Sequence, residues 1–267
     1  MKILVPTDFS ENASNALIFA KNIARKQGSS ITLFYAFYAV YDFAAQATEI
    51  IAQIEDDAKK AMKKLVKEGI EEGLTIDYKI QHGSIATAVT SYAYQNNYDL
   101  IVMGTQGASG IKKTLMGSNT GHVIKESMVP VIAVPASASL PKENKVAVAL
   151  ELKKESEENF QKLFHLTEAL SLPYAFFHVG EKLSFDQEIE FKGLEAYLKS
   201  NHPNKSFEFT TIKAPNIQNG VQNYLGENQH VLLVMFSKQK SFFEYLFNKS
   251  DSLEMAYHTH VPLLVIK

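Results

Sequence analysis

The sequence contains no cysteine. Disulfides and thiolate metal sites are therefore excluded, and the absence fits a reducing compartment. An excess of charge of either sign is lacking too. With 27 Lys and Arg against 29 Asp and Glu, the formal net charge is −2 and the pI about 6.5. Nothing is basic enough to suggest non-specific nucleic-acid binding. No stretch approaches the ~18 apolar residues of a membrane span. The opening MKILVPTDFS holds an apolar run too short for a signal-peptide core, and it meets Asp8 at once. The expectation is a soluble, cytoplasmic chain with neither nucleic acid nor membrane as partner. Catalytic patterns are missing as well: there is no Gly-x-Ser-x-Gly, no His-Glu-x-x-His and no Ser-Gly-Gly-x-Asp-Ser. No nucleophile with a positioned base stands out, and no set of metal carboxylates.

What is present is enough material for a core. The chain has 267 residues, 46% of them hydrophobic, which suits one large or two modest domains. Residues 2–6 (KILVP) read as a short buried strand with Asp8 just past its end. Over residues 12–27, Ala13, Ala16, Leu17, Ala20, Ile23 and Ala24 recur at helical spacing, with Ser10 as cap and Gly28 as stop. ITLFYAF (31–37), TIDYKI (75–80), YDLIVM (98–103) and VPVIAV (129–134) read as strands, and residues 44–72, 85–96 and 120–127 as helices. Strands alternating with helices predict a parallel sheet covered on both faces. The near-continuous apolar runs DLIVM and VPVIAV are what strands buried on both faces look like.

After PASASLPKEN (135–144) the pattern restarts. KVAVAL (145–150) matches KILVPT at an offset of 143, and the same offset sets AFFHV (175–179) on TLFYA (32–36). Further on the offset is 132. It aligns FEFTTI (207–212) with TIDYKI, VLLVM (231–235) with DLIVM and HVPLLVI (260–266) with MVPVIAV. A repeat of this size is a duplicated domain, not a solenoid.

The segment with chemical promise is VMGTQGASGIKKTLMGSNT, Val102 to Thr120. An apolar strand runs into Gly104, Gly107, Gly110 and Gly117, and Ser118-Asn119-Thr120 then opens a helix. In an open parallel sheet, ligands sit beyond the carboxyl ends of the strands. Glycine at a strand end lets the backbone approach a ligand, and a helix start attracts phosphate. Asp8 ends the first strand on the same edge, where a carboxylate can accept bonds from a ribose or base. The loop is neither a Walker A motif nor Gly-x-Gly-x-x-Gly, because Lys112 and Lys113 fall in the wrong register. On spacing alone, a surface turn with Ser118 as an N-cap and a phosphate cradle stay equally open.

Taken together these residues resemble the universal stress protein family, UspA-like, in its tandem two-domain form. Its nucleotide-binding pattern is Gly, two residues, Gly, nine residues, Gly, then Ser or Thr. Here it reads Gly104-TQ-Gly107-ASGIKKTLM-Gly117-Ser118. ILVPTDFSENA, HGSIATAV, YDLIVMGTQG and VPVIAVP also look like the family, and the resemblance covers residues 1–136. It implies two tandem doubly wound α/β domains of the adenine nucleotide α-hydrolase type. These are residues 1–137 with an intact loop and 145–267 without the glycine motif, joined by a linker at 138–144. Carried over by position, the resemblance puts Pro6, Thr7, Asp8 and Ala36 around adenine and ribose. Met103 and Gly104 line the strand end, and Gly107, Gly117, Ser118 and Asn119 hold the phosphates of ATP, with Mg²⁺ as a companion ion. Family dimers form through the last strand of each domain. VPVIAV and VPLLVI suit such an intramolecular pseudo-dimer, and a homodimer of chains stays open.

The second repeat departs from the motif. Gly104 becomes Phe236, Gly107 becomes Gln239, Gly117 becomes Lys249, and Ser118 keeps its counterpart in Ser250. Asp8 falls opposite Glu151, and Phe236 is expected to fill the space a nucleotide would occupy. His258-Thr259-His260 has no carboxylate cluster beside it and reads as exposed histidines, and His178, opposite Tyr35, reads as structural. The Glu55–Asp57 and Lys59–Lys64 charge blocks read as a solvated helix face. The leading expectation is a stress or regulatory protein that binds ATP in its first domain without efficient turnover. A slow ATPase or adenylate-transferring enzyme at the same loop is the first alternative, and a nucleotide-free interaction scaffold the second.

Overall fold

A computed structural model describes residues 1–38, 44–105, 117–136, 138, 145–152, 156–237 and 261–267. The chain divides into two compact units, one ending at Ala136 and one holding the described residues from Ala138 onward.

The first unit runs β1 (Lys2–Pro6), α1 (Glu11–Gln27), β2 (Ser30–Phe37), α2 (Ala44–Glu71), β3 (Thr75–His82), α3 (Ile85–Gln95), β4 (Leu100–Gly104), α4 (Ser118–Glu126) and β5 (Val131–Val134). Its strands are all parallel, in the order β3-β2-β1-β4-β5. The order reverses between β1 and β4, so a crevice opens where their carboxyl ends diverge. Strands β4 and β5 are buried at every position, whereas edge strand β3 turns Thr75, Asp77 and Lys79 to solvent. No helix among the described residues is long and apolar enough to cross a membrane.

Helix α1 shows how sequence becomes boundary. The Ser10 hydroxyl accepts from the Ala13 amide, and Gly28 ends the helix at φ 63° with its N–H on the Ala24 carbonyl. Lys21, nearly buried on α1, bonds Glu72 just past the end of α2 at 2.8 Å, and Arg25 reaches the same carboxylate. The Lys21 bond holds the Glu72 carboxyl below its ordinary range against an opposing effect of burial, with smaller help from the Lys21 and Arg25 charges. A carboxyl depressed in this way stabilises the fold above its unfolded pKa and loses that contribution as the pH falls through the folded value. Glu72→Gln is expected to lower stability at pH 7 by about 1 kcal/mol, a figure limited by screening of a partly exposed group. The gap to the wild type should close below about pH 4 in urea unfolding. Equal stabilities at pH 7 would mean the cluster contributes nothing.

The second unit runs β6 (Val146–Leu150), α5 (Glu157–Thr167), a 3₁₀ turn (Glu168–Leu170), β7 (Tyr174–Val179), α6 (Phe185–Asn201), β8 (Phe207–Ile212), α7 (Ile217–Glu227), β9 (Leu232–Phe236) and β10 (Leu263–Ile266). Its parallel order is β10-β9-β6-β7-β8. The strand registers of the two units correspond: Ile3 pairs Ile31 as Val146 pairs Tyr174, and Gly104 pairs Val134 as Phe236 pairs Ile266. Even the turn after the first strand matches, with Phe9 at φ 63° and Leu152 at φ 54°. One strand departs from the sequence alignment. Ile31 pairs Ile76 while Tyr174 pairs Phe207, so Phe207 corresponds to Ile76 and not to Thr75. Burial explains the shift, because Ile76 and Phe207 are the inward residues and a slip of one would turn both outward.

Candidate functional site

A cleft opens at the carboxyl ends of β1, β2 and β4, the edge of an open parallel sheet where ligands bind. Pro6, Thr7 and Asp8 enter it from the end of β1. The Thr7 N–H donates to the Phe34 carbonyl at 2.9 Å, extending the β1 ladder by one residue. The Asp8 carboxylate accepts from the Ser10 amide at 3.1 Å, which shapes the turn into α1. Phe34 and Ala36 line the cleft from β2, Met103 and Gly104 from β4, and Ile85 and Val89 from α3. The ring of Phe34 packs on Tyr92 of α3 with centroids 4.9 Å apart, so this wall is held from behind. Among the described lining residues, Asp8 is the one charged side chain.

The remaining wall is the start of α4: Gly117, Ser118, Asn119 and Thr120. Gly117 is the N-cap, extended at φ −61° and ψ 152°, and no side chain caps the helix. Ser118 is the first helical residue and not the cap that a plain surface turn calls for. Elsewhere Ser10, Ser156, Ser184 and Asn216 cap α1, α5, α6 and α7 through their side chains. Helix α3 also begins without a side-chain cap, and its first residue, Ile85, lines the same cleft. An uncapped helix start leaves backbone N–H groups and the positive end of the dipole for an anion.

Gly104 has a packing reason beyond the ligand-side reason read from the sequence. A Cβ there would lie 2.9 Å from the Asn12 carbonyl oxygen and 3.0 Å from its side chain. The glycine is what allows α1 to pass so close to the strand end. Gly107, Gly110 and the His258–His260 group lie outside the described residues, as do Gln239, Lys249 and Ser250. The sequence reading did not single out Ala13, Phe34, Ile85, Val89 and Thr120. The signal for Ile85 and Val89 is their four-residue spacing on a helix that follows HGS.

The second unit treats the same positions differently. Phe236 holds Gly104's place in the register, is 1% exposed, and meets Phe160 of α5 edge to face at 5.5 Å. Its ring therefore fills the space between the strand end and α5. That differs from the expectation that it fills the nucleotide space, because side chains of alternate residues leave opposite faces of a strand. Val179 stands at the place of Ala36, and a Cβ on Gly220 of α7 would lie 2.2 Å from its Cγ1. Helix α7 is thus drawn tightly onto β7. Buried His178 bonds the Leu150 carbonyl through Nδ1 at 2.8 Å, a structural tie between β6 and β7.

The sequence profile of the Universal stress protein family matches residues 1–135. A universal stress protein of Methanocaldococcus jannaschii is 33% identical over 140 residues, covering 50% of this chain and 81% of its own. A second from the same organism is 28% identical over 151 residues, covering 50% and 93%. Among solved structures, a universal stress protein from Archaeoglobus fulgidus DSM 4304 is similar with a TM-score of 0.76 at 18% identity, over 100% of this chain and 98% of that one. At that identity the likeness concerns the fold alone.

Proposed function

This chain belongs to the universal stress protein family, and we propose that it binds one ATP, in the cleft of its first unit, as a cytoplasmic nucleotide-responsive regulator. The observation that carries the reading is the uncapped start of α4 opening into a cleft with apolar walls. Phe34, Ala36, Ile85, Val89 and Met103 offer a flat base an apolar slot. Thr7 and Asp8 offer hydrogen-bond partners to a ribose or base edge. The first amides of α4, with the Ser118 hydroxyl and Asn119, face the phosphates, and Gly107 joins them by its place in the motif. A divalent ion would arrive on the phosphates, which bring its ligands with them. The tight Val179–Gly220 contact supports a second unit that keeps the fold without the site.

Calorimetric titration of the full chain with ATP and Mg²⁺ tests this. The expected result is saturation at one ATP per chain. At a hundredfold excess over Kd, binding should add about 2.7 kcal/mol of stability, visible as a rise of several degrees in melting temperature. No heat and no shift at millimolar ATP would favour the scaffold instead. A stoichiometry of two would return the second unit to the nucleotide binders.

A further inference from the structure

The start of α4 is fastened to the end of β4 by two hydrogen bonds. The Gly117 N–H donates to the Thr105 carbonyl at 2.5 Å, and the Thr120 hydroxyl donates to the Gly104 carbonyl at 2.8 Å. Thr105 and Thr120 are both buried. Gly104 is thereby held from two sides, with its Cα against Asn12 of α1 and its carbonyl on Thr120 of α4. Ser118 and Asn119 lie between the two fastened residues, and both face the cleft. Helices α1, α5, α6 and α7 spend a polar side chain on their own first-turn amides. Helix α4 instead turns the Thr120 hydroxyl to the strand, and no side chain caps its first-turn amides.

We infer that Thr120 is a positioning residue for phosphate recognition: its bond to Gly104 fixes the angle and distance at which the α4 amides meet the anion. This rests on the nucleotide reading above. Thr120 need not touch the ligand to act. A binding constellation held by a supporting hydrogen bond loses affinity when that bond goes, because the donors no longer stand in one geometry. Thr120→Val keeps the shape of the side chain, removes the hydroxyl and leaves the Gly104 carbonyl without this donor. The slot between β2, β4 and α3 is untouched, so the effect belongs to the phosphates and not to the nucleoside.

The test is calorimetry on the full-length wild type, Thr120→Val and Thr120→Ser, each with ATP and with adenosine. The expected result for Thr120→Val is about tenfold weaker ATP binding with adenosine affinity unchanged. Thr120→Ser, which keeps the donor, is expected to restore ATP affinity to nearly the wild-type value. Should Thr120→Val bind ATP as tightly as the wild type, the inference is overturned while the nucleotide reading stands. A parallel loss of ATP and adenosine also overturns it, because the residue then supports the whole cleft. If Thr120→Val does not fold, the serine variant decides: loss of ATP with adenosine retained supports positioning by the methyl packing and overturns the role of the bond. Wild type that binds neither ligand overturns the nucleotide reading and this inference with it.

Discussion

Phe236→Ala is expected to destabilise the second unit by about 3–5 kcal/mol, the range for removing a fully buried aromatic ring. Phe236 closes β9 opposite Ile266 of β10, and its ring stands edge to face against Phe160. Phe160 in turn packs on Phe176 of β7 at 6.0 Å. Truncation removes the far end of an aromatic chain that crosses from β7 through α5 to β9. The cavity left behind lies between a strand and a helix whose own contacts are already made, so it collapses poorly. Urea unfolding read on the transition of the second unit measures the cost. A loss under about 1 kcal/mol would mean the ring is not part of that core. The same variant carries a second expectation. It should create no ATP site, because the face of β7 that corresponds to Ala36 is held by Val179 against Gly220. Two ATP molecules bound per chain in Phe236→Ala would show that the ring alone excludes nucleotide.

That second expectation marks the boundary of what a sequence reader can see. Ser10, Gly28 and the apolar runs of β4 and β5 are local features, and each produced the boundary or burial its residue types predict. The substitution of Gly104 by Phe236 was equally legible as a matched position. The direction of its side chain was not, because the face a strand residue takes depends on its register with a partner far along the chain. The misplaced β8 has the same cause. FEFTTI matches TIDYKI well at an offset of 132, yet pairing with β7 selects the register that buries Phe207. In the cleft, Asp8, Gly117 and Ser118 announce themselves by type and spacing. Thr120 does not, since a threonine in the first turn of a helix is ordinary until its hydroxyl is found on the Gly104 carbonyl.

Gly117→Asp should separate stability from binding at the start of α4. Gly117 is already an N-cap with extended backbone, the conformation in which aspartate caps best. The carboxylate would accept from the second or third amide of the helix and interact favourably with the dipole. The gain over glycine is a few tenths of a kcal/mol, so the melting temperature holds or rises slightly. The same carboxylate occupies the amides that the phosphates need and sets a negative charge beside them. Two unit charges about 4 Å apart repel by about 4 kcal/mol at an effective dielectric constant of about 20. ATP affinity is therefore expected to fall by about a hundredfold or more, while adenosine, which brings no phosphate, binds nearly as before. Gly117→Asn caps the helix without the charge and should lie between the two. The decisive measurement pairs a thermal melt with ATP and adenosine titrations on each variant. A Gly117→Asp protein that melts as the wild type does and binds ATP as tightly would place the phosphates elsewhere than at α4. A protein that keeps its fold but loses ATP and adenosine alike would place the nucleoside against Gly117, and so reverse the orientation assigned to the ligand in the cleft.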